Sequence, residues 1–254
     1  EAVSSIVGRA ELLSAIAVLG ALLCAARSRR PAARRGAWLA GGAALFALGL
    51  LCKENAFVFL PLLLVAAWMT DRRGLRHALV GLNLSGALPL FLGVGVAYLA
   101  LRWSLFGTLT VGEAISPLDN PLAHSSTPVR LGTALVVLVE SLGQLVLPLH
   151  LSADYSYSQI PLVETPGDPR LALALAVLAT LALLLWLSRS HATAAVGGAL
   201  FFLGAFSLTA NLLFPIGTIR GERLLYLPSV GFAVALGALA ANGLRRSPRA
   251  TALL

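Results

Sequence analysis

The sequence predicts an all-α, polytopic membrane bundle of about seven spans, with one further helix lying in the membrane plane. Three observations carry that expectation. Of the 254 residues 58% are hydrophobic and only 12% charged, and the mean hydropathy of +0.86 lies far outside the range of soluble domains. Apolar runs close to the ~20 residues that a spanning helix needs recur along the chain. Arginine, which supplies every one of the 19 basic residues except Lys53, gathers in short loops beside those runs. The bias toward Ala, Leu, Gly and Arg reads as a GC-rich, bacterial genome.

Taken in order, spans are expected over residues 10–26, 37–52, 56–70, 78–101, 171–188, 192–214 and 224–242. The second and third are short and separated only by Lys53, Glu54 and Asn55, so they read as a tight hairpin with a charged tip. Arg27, Arg29, Arg30, Arg34 and Arg35 follow the first span, Arg72, Arg73 and Arg76 the third, and Arg245, Arg246 and Arg249 the last. These loops are expected to face the cytoplasm. The amino terminus and the Lys53 tip then face the periplasm of a bacterium, its inner membrane being the expected location, or the endoplasmic reticulum lumen of a eukaryote.

Residues 129–149 form an eighth apolar stretch, and counting basic residues separates a crossing from a non-crossing topology by only one residue. The side-chain pattern is more informative. Arg130, Thr133, Glu140, Ser141 and Gln144 fall along one helical face, while Leu131, Leu135, Leu138, Leu142 and Leu145 occupy others. The reading is an amphipathic helix in the outer interface; a span whose polar stripe faces other helices stays open as the alternative. Residues 102–170 then form an extracytoplasmic cap within a single membrane domain, 1–254. The cap is rich in turn formers, among them Pro117, Asp119, Asn120, Pro121, Pro128, Pro161, Pro166, Gly167 and Pro169. Of the 11 acids, only Asp71 falls on the inner side.

Composition also excludes some classes. Cys24 and Cys52 sit in different spans near opposite faces, so no disulfide framework is implied. The net charge of +8 belongs to loops beside spans, and no domain outside the membrane presents a groove for nucleic acid. His77, His124, His150 and His191 are scattered without metal spacing. Asn83-Leu84-Ser85 matches a glycosylation sequon but falls inside an expected span. Gly93 with Gly95, and Gly197 with Gly198, suit close helix contacts better than a nucleotide loop. With no initiator Met and no signal-peptide pattern, the chain is expected to begin inside a longer protein.

Four outer-side clusters are the candidates for chemistry. They are Glu1, Arg9 and Glu11; Lys53, Glu54 and Asn55; residues 154–163, DYSYSQIPLV; and Arg220, Glu222, Arg223 and Tyr226. Ionisable groups wedged between membrane-length runs are costly unless they meet water, a partner or a ligand. A polyprenyl-phosphate sugar carries an anionic head at the interface and a tail in the bilayer, and the planar fork of arginine matches phosphate oxygens. Transfer of the sugar to a hydroxyl also calls for a carboxylate base and for charge stabilisation of the departing phosphate. Structural readings stand beside each assignment: Lys53 with Glu54 as a snorkelling pair, Glu222 with Arg220 or Arg223 as an ion pair, Arg9 as an interfacial anchor, Asp154 as a turn residue, and Tyr155, Tyr157 and Tyr226 as an aromatic belt.

At these clusters the sequence resembles the transmembrane-and-tetratricopeptide-repeat (TMTC) O-mannosyltransferases and their bacterial relatives, which share the membrane-embedded domain DUF1736. The matching stretches are EAVSSIVGRAELL (1–13), LLCKENAFVFLPL (50–62), SPLDNPLA (116–123), ADYSYSQIPLV (153–163) and NLLFPIGTIRGERLLYLPSVGF (211–232). The resemblance implies a glycosyltransferase of the GT-C type, with its site on the extracytoplasmic face, a polyprenyl-phosphate-linked sugar as donor and serine or threonine hydroxyls of protein as acceptors. By this likeness Glu1, Arg9, Lys53, Glu54, Glu222 and Arg223 match the family's motif positions. Two departures stand out: the family's acidic pair would lie upstream of Glu1, and no repeat of about 34 residues is visible. The segment by itself is therefore expected to be inactive, with tetratricopeptide repeats downstream in the full-length chain.

The expectation is that Glu1 and Glu54 serve catalysis, while Arg9, Lys53, Asp154, Arg220, Glu222, Arg223 and Tyr226 bind substrate. No residue is assigned to a metal, though a divalent ion beside Glu1 stays open. The competing readings are a glycolipid-modifying transferase on the same scaffold, a lipid or solute transporter, and a scaffold without catalysis. A transporter would place its ionisable groups near the bilayer midplane.

Overall fold

The computed structural model describes residues 8–29, 34–71, 74–84, 86–107, 115–149, 151–152, 154–188 and 193–246, and every regular element among them is helical. The chain divides into two compact units, Glu1–Ala114 and Ile115–Leu254.

The first unit contains α1 (Gly8–Ser28), α2 (Arg35–Cys52), a 3-10 turn (Glu54–Val58), α3 (Phe59–Thr70), α4 (Leu75–Leu84) and α5 (Ala87–Phe106). Small residues bring α1 and α2 together: a Cβ on Gly49 would lie 3.1 Å from that of Ala17, and one on Gly42 would lie 3.2 Å from that of Cys24. Phe46, Phe59 and Phe91 fill the core, all fully buried, with ring centroids 4.6 Å apart for Phe46–Phe59 and for Phe59–Phe91. Such pairs add ~0.5–1.5 kcal/mol to the burial of their area. Lys53 is extended, at φ −162° and ψ 137°, so the helix breaks there and restarts in the 3-10 turn as the hairpin reading requires.

The expected span over 78–101 is instead two helices. Gly86 takes φ +70°, a left-handed conformation that costs little only for glycine, and Pro89 in the first turn of α5 has no N–H to return to the preceding turn. Asn83 consequently lies in the last turn of α4 rather than within a continuous span over 78–101. Of the glycine pair expected on this span, Gly95 meets Phe57, whose Cε1 would be 3.2 Å from an added Cβ, while Gly93 has open space around it.

The second unit contains a 3-10 turn (Pro121–His124), α6 (Thr127–Val146), α7 (Pro169–Ser188), α8 (Thr193–Phe206), a second 3-10 turn (Glu222–Leu225) and α9 (Tyr226–Arg246). Helices α8 and α9 approach closely enough that a Cβ on Gly198 would lie 2.6 Å from the Gly231 carbonyl oxygen. Leu138, Phe202, Phe206, Ala210 and Leu225 form one core cluster, and Leu122, Val137, Tyr155, Ile160 and Ile219 another.

The expected span over 192–214 stops at Phe206. Ser207 donates to the Gly204 carbonyl at 2.8 Å and Thr209 to that of Phe206 at 3.2 Å. These hydroxyls take acceptors that a continuing helix would have used.

Among the described residues six helices are long and apolar enough to cross a membrane, or seven if the segments Glu54–Thr70 and Leu75–Leu82 count as one bent span. Helix α6 passes that test of length and composition. Most of its polar stripe packs against protein: Thr133 and Ser141 are buried, and Arg130 donates to the carbonyls of Asn211 and Leu212 at 2.8 Å, while Glu140 stays exposed.

Candidate functional site

Four charged residues of the first unit form two pairs at one end of its helices. Glu11, 7% exposed in the first turns of α1, accepts the Lys53 ammonium in an ion pair and lies 3.4 Å from the Asn55 amide. Burying a carboxylate requires such a partner. Glu54 pairs with Arg102 of α5, whose guanidinium also reaches the Tyr98 hydroxyl at 3.4 Å. Cys52, Lys53, Glu54, Tyr98, Arg102 and Phe106 border a cavity of about 330 Å³. At the opposite end Arg29 donates to Thr70 at 2.5 Å and Arg27 lies over the Trp38 ring at 5.8 Å.

In the second unit, α6 and the irregular segment from Asn211 to Gly221 build a larger polar network. Asn211, at φ +57° and 1% exposed, ties that segment together through its side-chain amide. Its Nδ2 donates to the carbonyls of Thr218 and Ile219, both at 3.1 Å. Its Oδ1 accepts from the Ile216 N–H and from Asn120, each at 2.9 Å. The segment so fixed presents Arg220 and Glu222 to the last turns of α6.

Arg220 donates to Glu140 Oε2 at 3.0 Å and to Gln144 Oε1 at 2.8 Å, and its guanidinium lies 4.9 Å above the Tyr155 ring. Glu222 Oε1 accepts from Gln144 Nε2 at 2.9 Å, the Ser152 N–H at 2.8 Å and the Tyr155 hydroxyl at 3.1 Å. Burial raises the Tyr155 phenol above its ordinary pKa, so the hydroxyl keeps the proton that it donates. Asp154 accepts from the Ser156 hydroxyl at 2.7 Å and the Ser156 N–H at 3.1 Å. Those two bonds, with a smaller contribution from the Arg223 charge, hold its carboxyl below the usual aspartate value.

The expected residues therefore fall into separate groups. Lys53 and Glu54 belong to the first unit, each paired there. Arg220, Glu222, Asp154 and Arg223 belong to the second. Arg9 is exposed at the head of α1, Tyr226 is 39% exposed at the start of α9, and Glu1 lies outside the described residues. The anticipated ion pair of Arg220 with Glu222 is replaced by one between Arg220 and Glu140. Of their partners, Glu11 and Tyr155 belong to the candidate clusters without an assigned role, whereas Arg102, Gln144 and Ser152 lie outside them. The clearest available signal was the Glu140 and Gln144 pair, four residues apart on one helical face. Among the described residues no three His, Cys, Asp or Glu side chains gather as a metal site requires.

Comparison with known proteins adds a sequence relationship. The profile of the family described as protein O-mannosyl-transferase TMTC, DUF1736, matches residues 113–182, which include Glu140, Gln144, Ser152, Asp154 and Tyr155. Human protein O-mannosyl-transferase TMTC3 is 30% identical over 254 residues, covering 92% of this chain and 28% of its own length. Mouse protein O-mannosyl-transferase TMTC4 is 28% identical over 290 residues, covering all of this chain and 38% of its own length. Mouse protein O-mannosyl-transferase TMTC1 is 34% identical over 142 residues, covering 52% of this chain and 14% of its own length. The chain thus spans well under half of the curated relatives it matches. No solved structure matches it.

Proposed function

The chain belongs to the TMTC family by the sequence it shares with these proteins over most of its length, and from that premise we propose that it is the membrane core of a glycosyltransferase. It moves a sugar, mannose, from a polyprenyl-phosphate-linked donor to serine or threonine hydroxyls of protein on the extracytoplasmic face of a bacterial inner membrane. The names of these relatives, protein O-mannosyl-transferases, support the transferase class. The observation that carries the site is in the second unit: Arg220 and Glu222 stand two residues apart, yet the carboxylate is held by three neutral donors and is not spent on the guanidinium.

In this reading Arg220 and Arg223 receive the donor phosphate. The Glu140 carboxylate that Arg220 holds is 43% exposed, and an ion pair open to water is worth ~1 kcal/mol or less, so an incoming phosphate displaces it readily. The bond from the sugar carbon to the phosphate oxygen breaks, and the electron pair leaves with the polyprenyl phosphate. The acceptor hydroxyl bonds to that carbon and passes its proton to a carboxylate. Fixed cations offset the charge that develops on the leaving oxygen. Glu222, whose described hydrogen bonds all fall on Oε1, accepts a sugar hydroxyl, while Asp154 and Tyr226 are further residues assigned to substrate binding. In the first unit, considered by itself, Glu54 and Glu1 are the carboxylates assigned to proton removal, Lys53 shapes the pocket around Glu54, and Arg9 is a candidate cation for a phosphate.

The same reading keeps α6 in the membrane plane. Its support is the irregular segment 211–221, which accompanies α6 from Arg130 to Gln144; non-helical backbone is poorly tolerated at hydrocarbon depth. Replacing Arg223 by alanine in the full-length protein is expected to lower transfer at least about tenfold at normal expression. Unchanged transfer and donor affinity would remove Arg223 from the site.

A further inference from the structure

Among the described residues Gln144 is the side chain that hydrogen-bonds to both Arg220 and Glu222, and its amide can be oriented in only one way. The oxygen accepts from Arg220 Nη2 at 2.8 Å, and the nitrogen donates to Glu222 Oε1 at 2.9 Å. Turning the amide over would set two donors against each other on one side and two acceptors on the other. The cation and the anion are thus each bonded to the same small group, two residues apart in the chain, and among the described residues no ion pair joins them. Glu140, one turn earlier on α6, holds the other guanidinium nitrogen at 3.0 Å, and the Tyr155 ring backs the guanidinium at 4.9 Å. The arrangement therefore resists the collapse that proximity alone would produce.

From this geometry we propose that Gln144 is a positioning residue that acts as a spacer, keeping Arg220 from closing onto Glu222 so that the cation stays available to a lipid phosphate. The proposal rests on the reading that Arg220 receives the donor phosphate. Opposite charges in contact at a partly buried site attract strongly, and a guanidinium paired bidentately with a carboxylate has lost the fork that a phosphate would use. A neutral amide answers both charges without cancelling either. Leucine at 144 would fill similar space but bond to neither group, and glutamate would take Arg220 for itself while repelling Glu222. Asparagine is one methylene too short to span the pair.

The test uses the full-length protein and binding of polyprenyl phosphate without a sugar, so that contacts of Glu222 with the sugar play no part. Gln144→Leu is expected to weaken that binding about tenfold. Adding Glu222→Gln to the leucine variant is expected to restore most of the affinity, because Arg220 then keeps only its exposed pair with Glu140 and has no Glu222 carboxylate to close on. Two losses that simply add, as independent or merely structural defects do, would overturn the proposal, as would unchanged binding by Gln144→Leu. If the leucine variant does not fold, Gln144→Asn with and without Glu222→Gln reads the same coupling. Arg220→Ala separates this inference from the one beneath it. If Arg220→Ala binds polyprenyl phosphate normally, the phosphate reading fails. If Arg220→Ala loses binding while Gln144→Leu keeps it, only the spacer fails.

Discussion

Asn211 shows how much of the second unit depends on one side chain. Its amide satisfies the carbonyls of Thr218 and Ile219 and takes hydrogen bonds from Ile216 and Asn120, all inside a residue that is 1% exposed. Alanine would leave several buried polar groups unmatched, at about 1–3 kcal/mol for each, and would keep a left-handed φ that costs roughly a further 1–2 kcal/mol. Asn211→Ala is therefore expected to destabilise the protein by at least about 3 kcal/mol, read as a lower midpoint of thermal unfolding in detergent. Loss of donor binding should accompany it, since Arg220 and Glu222 hang from that segment. A second residue gives a pH dependence whose sign is fixed. Because the Ser156 hydroxyl and N–H depress the Asp154 carboxyl, its contribution is complete above the ordinary aspartate value and disappears as pH falls through the lower, folded one. Ser156→Ala should move the Asp154 titration, followed by carboxyl carbon NMR, upward toward the ordinary value, so that the turn is lost at milder acidity.

At the scale of elements, the α8–α9 contact leaves no slack. A Cβ on Gly198 would sit 2.5 Å from the Ala235 nitrogen and 2.6 Å from the Gly231 oxygen, and backbone cannot swing aside as a side chain can. Gly198→Ala should therefore force the helices apart and lower the yield of folded protein, whereas Gly237→Ala on α9, where nothing lies within 4 Å, should be tolerated. Expression followed by size-exclusion chromatography distinguishes the two. The elements best read from sequence were those whose limits apolar length alone decides. Helices α1, α2 and α7 end within two residues of the expected spans. The break at Gly86 and the stop at Phe206 were missed because each is set by local chemistry, a left-handed glycine in one case and backbone-seeking hydroxyls in the other. The site was legible as far as single residues went: Lys53, Glu54, Arg220 and Glu222 are conspicuous beside apolar runs. Their partners were not. Glu11 lies 42 residues from Lys53 and Gln144 lies 78 from Glu222, and no local periodicity joins residues so far apart.

At the scale of the whole molecule, the proposed function requires the hairpin tip to face away from the cytoplasm, and the first unit carries a means of asking. Its helices are polarised, with the Lys53–Glu11 and Glu54–Arg102 pairs at one end and Arg27, Arg29 and their partners at the other. The chain's two cysteines report on this axis, because Cys52 is exposed beside Lys53 while Cys24 is buried against α2. A membrane-impermeant maleimide added to intact cells, with the periplasm made accessible, is expected to label Cys52, and Cys52→Ser should abolish that label. Labelling that appears only after the inner membrane is permeabilised would put the tip in the cytoplasm with the arginine-rich end outside. That outcome would contradict the positive-inside argument, since crossing a bilayer favours Arg and Lys on the cytoplasmic side. It would also separate Lys53 and Glu54 from an extracytoplasmic acceptor and so remove them from the proposed chemistry.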